Sequence, residues 1–124
     1  MFNLTKPVPE NFIDIYAYGN CMCLATALHR KYGLEIQVAL SLDNGIEYID
    51  PAWVFDSADG MIIDVDGRYA PERNGFVNPS NRVVSGLDEA ALLAIIHVYH
   101  NKTTAIEWES LISEAHSFID EYFA

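Results

Sequence analysis

Cys21 stands in the run Gly19-Asn20-Cys21-Met22-Cys23-Leu24-Ala25-Thr26-Ala27-Leu28-His29-Arg30, a turn that feeds a helix. Helix N-termini carry unpaired N–H groups and a partial positive charge, and both lower the pKa of a cysteine placed there. Such a thiolate can attack a carbonyl carbon and hold the acyl group as a thioester. Two carboxylates further along, Asp64 and Asp66, are two residues apart and so share a face of an extended segment. Each group also has a plainer reading. Free cysteine is among the most buried residue types, so Cys21 could be packing alone, and the two aspartates could simply close a hairpin. Cys23, rotated about 200° from Cys21 around a helix, is read as a packing residue.

A cysteine nucleophile needs a base, and the histidines are few. His29 is on the same predicted helix as Cys21, about 12 Å along its axis at 1.5 Å per residue, too far to serve. His97 and His100 share one helical face and could in principle bind a metal. No Cys or carboxylate completes a ligand set, so a solvated or hydrogen-bonded pair is expected and no metal. His116 is in the acidic last helix and is read as a surface residue. No cofactor is expected.

The elements that must position these groups follow from periodicity. Residues 9 to 18 read as a short helix or an extended lead-in. From Cys21 to Tyr32, Cys21, Leu24, Ala25, Leu28 and Tyr32 recur at helical spacing, and Gly33 supplies the stop. Leu34 to Leu42 alternates apolar and polar residues as a half-buried strand does. Asp43-Asn44-Gly45 is a turn, with a short returning strand from Ile46 to Ile49. A hairpin follows, with Trp53-Val54-Phe55, the turn Asp56 to Gly60, and Met61 to Val65. Arg68 to Ser80, with Pro71, Gly75 and Pro79, is read as a long surface loop. Capping-box spacing at Ser85 and at Thr104 predicts helices over Leu87–Tyr99 and Trp108–Tyr122. In the last one Trp108, Leu111, Ile112, Ala115, Ile119 and Tyr122 form one apolar stripe, read as core.

Composition bounds the whole. The chain has 124 residues, about half of them hydrophobic, enough for one domain over residues 1–124 with a single core. No stretch approaches the roughly 20 apolar residues of a membrane span, and the N-terminus carries no apolar signal region. A soluble, cytoplasmic protein is expected. The 18 Asp+Glu against 7 Lys+Arg give a net charge of −11, which repels nucleic acid and anionic membranes and suits a basic protein partner. The two cysteines are too close on one helix for a structural disulfide to be expected.

A cysteine heading a buried helix, followed by a hairpin with polar residues, resembles the papain-like superfamily in its transglutaminase-like and NlpC/P60-like branches. The resemblance covers roughly residues 17 to 67. It implies an α+β fold with a papain-like core, a Cys-bearing helix packed on a small antiparallel sheet, and two C-terminal helices covering it. It implies a cysteine-dependent hydrolase or acyltransferase acting on an amide or isopeptide bond of a protein or peptide substrate. Cys21 matches the nucleophile, Asn20 a weak oxyanion contributor, and Asp64, or failing it Asp66, the orienting acid. Trp53 is a candidate substrate platform, though a tryptophan so placed is more often core. The family's histidine falls at Pro51 by the His-Ala-Trp pattern and at Ala52 by spacing to Asp64 across the hairpin, and neither residue can move a proton. The expectation is therefore an enzyme scaffold disabled at Ala52 (or Pro51), by nature or by substitution. The rival expectation is a non-catalytic acidic protein that docks on a basic surface.

Overall fold

The protein was described from a computed structural model covering residues 2–77, 81–99 and 105–124. The chain enters through α1 (Glu10–Asp14), started by Pro9, and runs without interruption into a π turn over Ile15–Gly19. There the Asn20 N–H donates to the Ile15 carbonyl at 2.7 Å, one residue further back than an α-helix allows. The lead-in is thus helical, not extended. Next comes α2 (Cys21–Tyr32), which ends where Gly33 takes φ 72° and donates its N–H to the His29 carbonyl at 2.8 Å. Its residues Cys23 to Leu28 are all buried.

Five antiparallel strands form one sheet in the order β4-β3-β2-β1-β5. They are β1 (Glu35–Asp43), β2 (Ile46–Asp56), β3 (Met61–Asp64), β4 (Gly67–Tyr69) and β5 (Arg82–Leu87). Two helices close the chain, α3 (Glu89–Tyr99) and α4 (Ala105–Tyr122). The fold is α+β, with the cysteine-bearing helix against the sheet and two C-terminal helices. Among the described residues no helix is long and apolar enough to cross a membrane.

Both predicted turns form, with Asn44 and Gly45 at positive φ after β1 and the Gly60 N–H closing on the Asp56 carbonyl after β2. The stretch from Arg68 onward is less loop than its prolines and glycines suggest. Gly67 to Tyr69 pairs with β3, Pro71–Arg73 makes a 3-10 turn, and Arg82–Leu87 adds an edge strand. Ser85 therefore belongs to β5, and α3 is capped by Asp88, whose carboxylate accepts the Ala91 N–H at 2.8 Å. His100 and Thr104 lie outside the described residues.

A β-bulge in β2 joins what period-two alternation divides into two strands. Val38 pairs with Ala52, but Leu40 pairs with Ile49, so Ala39 faces one residue too many. The extra residue falls at Asp50-Pro51, where a proline without an N–H costs no ladder bond. It also lets Ile49 and Ala52, three apart, both enter the helix-side core with Val38 and Leu28. Trp53 lies on the other face with Ala39 and Ile62, fully buried, its indole N–H donating to Gln37 at 2.8 Å. The predicted stripe of α4 is buried, Leu111 only in part, and Phe118 joins it, its ring packed at a tilt against Tyr16 with centroids 4.8 Å apart.

Two arginines tie the layers together. Arg30, near the end of α2, bonds Glu89 of α3 at 2.6 Å and Glu109 of α4 at 2.7 Å. The side chain of Arg68 in β4 is only 7% exposed and reaches Asp56 at 3.0 Å and Asp59 at 2.7 Å across the β2–β3 turn. Its Nε donates to the Phe2 carbonyl, which draws the N-terminal segment over β4. That segment passes so close that a Cβ on Gly67, already at φ 92°, would sit 2.8 Å from Asn3 Oδ1. Removing one partner of a buried ion pair strands the other charges. Arg68→Ala should therefore destabilise the fold by about 3 kcal/mol in urea unfolding, and a loss below about 1 kcal/mol would show that the cluster is screened like a surface pair.

Candidate active site

The π turn sets the exit angle into α2, and Cys21 occupies its first helical position, half-buried. Around it lies a cavity of about 220 Å³ bordered by Cys21, Pro51, Ala52, Asp64, Asp66 and Tyr69. Four of the sequence-predicted residues, Cys21, Ala52, Asp64 and Asp66, thus meet at one opening. Asn20 and Trp53 are not among its lining residues. Asn20 precedes the thiol as the N-cap without a side-chain capping bond, its backbone serving the π turn and Leu24. Trp53 is sealed between Gln37 and the outer-face cluster, so it is a core residue and not a substrate platform.

Strand register corrects which position faces Asp64. Val54 pairs with Ile63, and continuing that antiparallel register sets Trp53 opposite Asp64 and Ala52 opposite Val65. Ala52 and Val65 share the helix-side core, where Ala52 is 3% exposed. Asp64 is on the outer face with Tyr69, and Pro51, two residues from Trp53 and half-buried, shares that face at the cavity rim. Ala52 and Asp64 thus point to opposite faces of a β2–β3 pairing that is regular, and the bulge lies on the far side of Ala52.

Asp64 is held by a short network. Its Oδ2 accepts the Tyr69 hydroxyl at 2.5 Å, and its Oδ1 accepts the Asp66 N–H at 2.9 Å. Asn74 Nδ2 donates to the same Tyr69 oxygen at 3.1 Å, while Asn74 Oδ1 takes the Phe76 N–H at 2.8 Å. The loop wall of the cavity is thereby pinned to the carboxylate. Burial raises the Asp64 pKa to about 6, outweighing the lowering by the Tyr69 and Asp66 bonds. Burial and the neighbouring Asp64 charge push Tyr69 upward as well. Tyr69, Arg73 and Asn74 went unread because they lie in a segment whose composition signals only loop.

Cys23 behaves as a packing thiol. It is 5% exposed, and burial, then the neighbouring Cys21 and Glu114, push its pKa up to about 11. Among the described residues no histidine lines the cavity. His29 is turned to the far end of α2, where its Nδ1–H donates to the Leu34 carbonyl at 2.7 Å. Among the described residues no three His, Cys, Asp or Glu side chains group as metal ligands. The cavity therefore brings together a thiol at a helix N-terminus and a carboxyl whose pKa burial raises to about 6. A thiol in such a place is of the kind that accepts acyl groups in cysteine enzymes, and the described lining provides no imidazole that could protonate an amine leaving group.

A carboxyl whose pKa is raised in the folded state binds its proton more tightly there than in the unfolded chain. Stability from this group is full below the ordinary value near 3.8 and falls as pH rises through about 6. Asp64→Asn removes that dependence. Between pH 4 and 7 the variant should gain on the native protein by on the order of 2 kcal/mol in urea unfolding, and parallel pH profiles would overturn the raised value. No protein-family model, curated protein or solved structure matches the chain.

Proposed function

We propose that this chain is a papain-like cysteine hydrolase or acyltransferase scaffold for amide or isopeptide bonds, inactive in this form because its imidazole is missing. The observation that carries the reading is the meeting of Cys21, Pro51, Ala52 and Asp64 at one cavity. In the complete reaction the Cys21 thiolate attacks the carbonyl carbon and the carbonyl π pair moves to oxygen. The tetrahedral anion collapses to a thioester, and the amine leaves with a proton given by imidazolium. Water, deprotonated by the imidazole, then attacks the thioester and returns the thiolate. Here both proton transfers lack their carrier. Amide cleavage stalls at the leaving group, while an ester whose leaving group needs no proton can still acylate the thiol. The setting in this reading is the cytoplasm, where thiols persist reduced.

Register makes position 51 the better place for the imidazole, since it shares the outer face with Asp64, whereas position 52 is packed under α2. Mixed with p-nitrophenyl acetate, the native protein should release about one equivalent of p-nitrophenolate and then stop, as the acyl-enzyme accumulates. Pro51→His should convert the burst into turnover about 100-fold above the native rate, with Ala52→His a weaker rescue. The alkylation profile of Cys21 should also move to lower pH in Pro51→His, and Cys21→Ser should abolish burst and turnover. Iodoacetamide labelling of Cys21 only in urea, never in the native state, would overturn the reading.

A further inference from the structure

We infer that the outer face of the β1–β2 hairpin is a docking strip for an extended polypeptide segment carrying apolar residues flanked by Lys or Arg. The inference rests on the reading of the Cys21 cavity as an acyl-transfer site and names what that site receives. Alternation along β1 sets Ala39, Ser41 and Asp43 on the outer face, and register places Tyr48 opposite Ser41 and Ile46 opposite Asp43. Ile46 is 70% exposed and Tyr48 38% exposed, large apolar side chains that the core does not use. Both lead along β2 to Pro51, which borders the cavity. Phe76, 38% exposed, borders the cavity from the loop side. The loop is fastened to the hairpin there, because Ser41 bonds Asn81 at 3.3 Å and Asn81 Nδ2 donates to the Phe76 carbonyl at 3.2 Å.

The strip from Ile46 to Pro51 spans roughly 16 Å at about 3.3 Å per residue, the length of an extended pentapeptide. A molecule that merely fills the cavity would not reach it. Charge decides between a second copy and a foreign segment. Asp43 at one end and Asp66 at the cavity are exposed acids on a chain of net charge −11, so two copies would set like charges together. Arg73 is the cation at the cavity rim, and the Arg82 guanidinium is already taken by Glu47. A segment with basic flanks answers these acids, and its apolar residues answer Ile46, Tyr48 and Phe76.

The test compares chloroacetyl-Leu-Phe-Arg-Arg-amide with chloroacetamide. In both, the Cys21 thiolate displaces chloride to form a thioether, and the thiol proton goes to buffer. The peptide should label Cys21 at least about tenfold faster than chloroacetamide, and Ile46→Ser with Tyr48→Ser should bring the ratio to about one without changing the chloroacetamide rate. Equal rates for the two reagents in the native protein would overturn the strip while leaving the cavity reading intact. Should chloroacetamide fail to label Cys21, the cavity reading falls, and the strip is then decided by acetyl-Leu-Phe-Arg-Arg-amide titrated into labelled protein. Shifts of the Ile46, Tyr48 and Phe76 amide resonances sustain it, and unmoved resonances overturn it.

Discussion

One extra residue in β2 governs the rest of the architecture. A regular strand sets successive side chains on opposite faces, so the inserted residue at Asp50-Pro51 exchanges the two faces between its halves. Before it, Ile49 packs toward the helices, and after it Ala52 and Val54 do so, while Tyr48 and Trp53 take the outer face. Were the strand regular, either Ile49 or the Ala52–Val54 pair would be turned out of the core, a loss of about 1.5–3 kcal/mol for each large aliphatic side chain. The bulge therefore satisfies the core first. The half-buried Pro51 at the cavity rim follows from that same requirement.

The polar network beside the bulge solves a different problem. A carboxylate withdrawn from water must find donors or give up its charge, and Asp64 does some of each, with Tyr69 and Asp66 as donors and a pKa raised to about 6. Because Tyr69 also accepts from Asn74, the loop cannot leave without stripping the phenol of a donor. Arg68, one residue before Tyr69, holds the same edge by charge, to Asp56 and Asp59. The two devices fasten the three-residue strand β4 to the β2–β3 turn on one side and to the cavity loop on the other.

Much of this was legible in the amino-acid order, and what was not has physical causes. The helix from Cys21 to Gly33, the Asn44-Gly45 turn and the Trp53 to Asp64 hairpin are set by local periodicity and by residues that tolerate positive φ. Strand β5 escaped because Ser85-Gly86 mimics a helix cap, and its pairing with β1 is a long-range contact that no local pattern carries. That Cys21 and Asp64, with Asp66, border one opening follows the pattern the resemblance implied. Of the two positions the resemblance left for the imidazole, Pro51 shares the outer face with Asp64 and Ala52 does not, a distinction that the β2–β3 register carries and composition does not. Tyr69 and Asn74 matter only through the fold of a segment rich in turn formers.

The π turn before Cys21 and the bulge before Ala52 are the same kind of event in two kinds of secondary structure, one residue more than the repeat requires. Both borders of the cavity formed in this way are interruptions, while the uninterrupted stretches on either side build the core. Core and cavity are thus coupled: deleting the extra residue of β2 would withdraw Pro51 from the cavity rim and, in the same step, turn either Ile49 or the Ala52–Val54 pair out of the core.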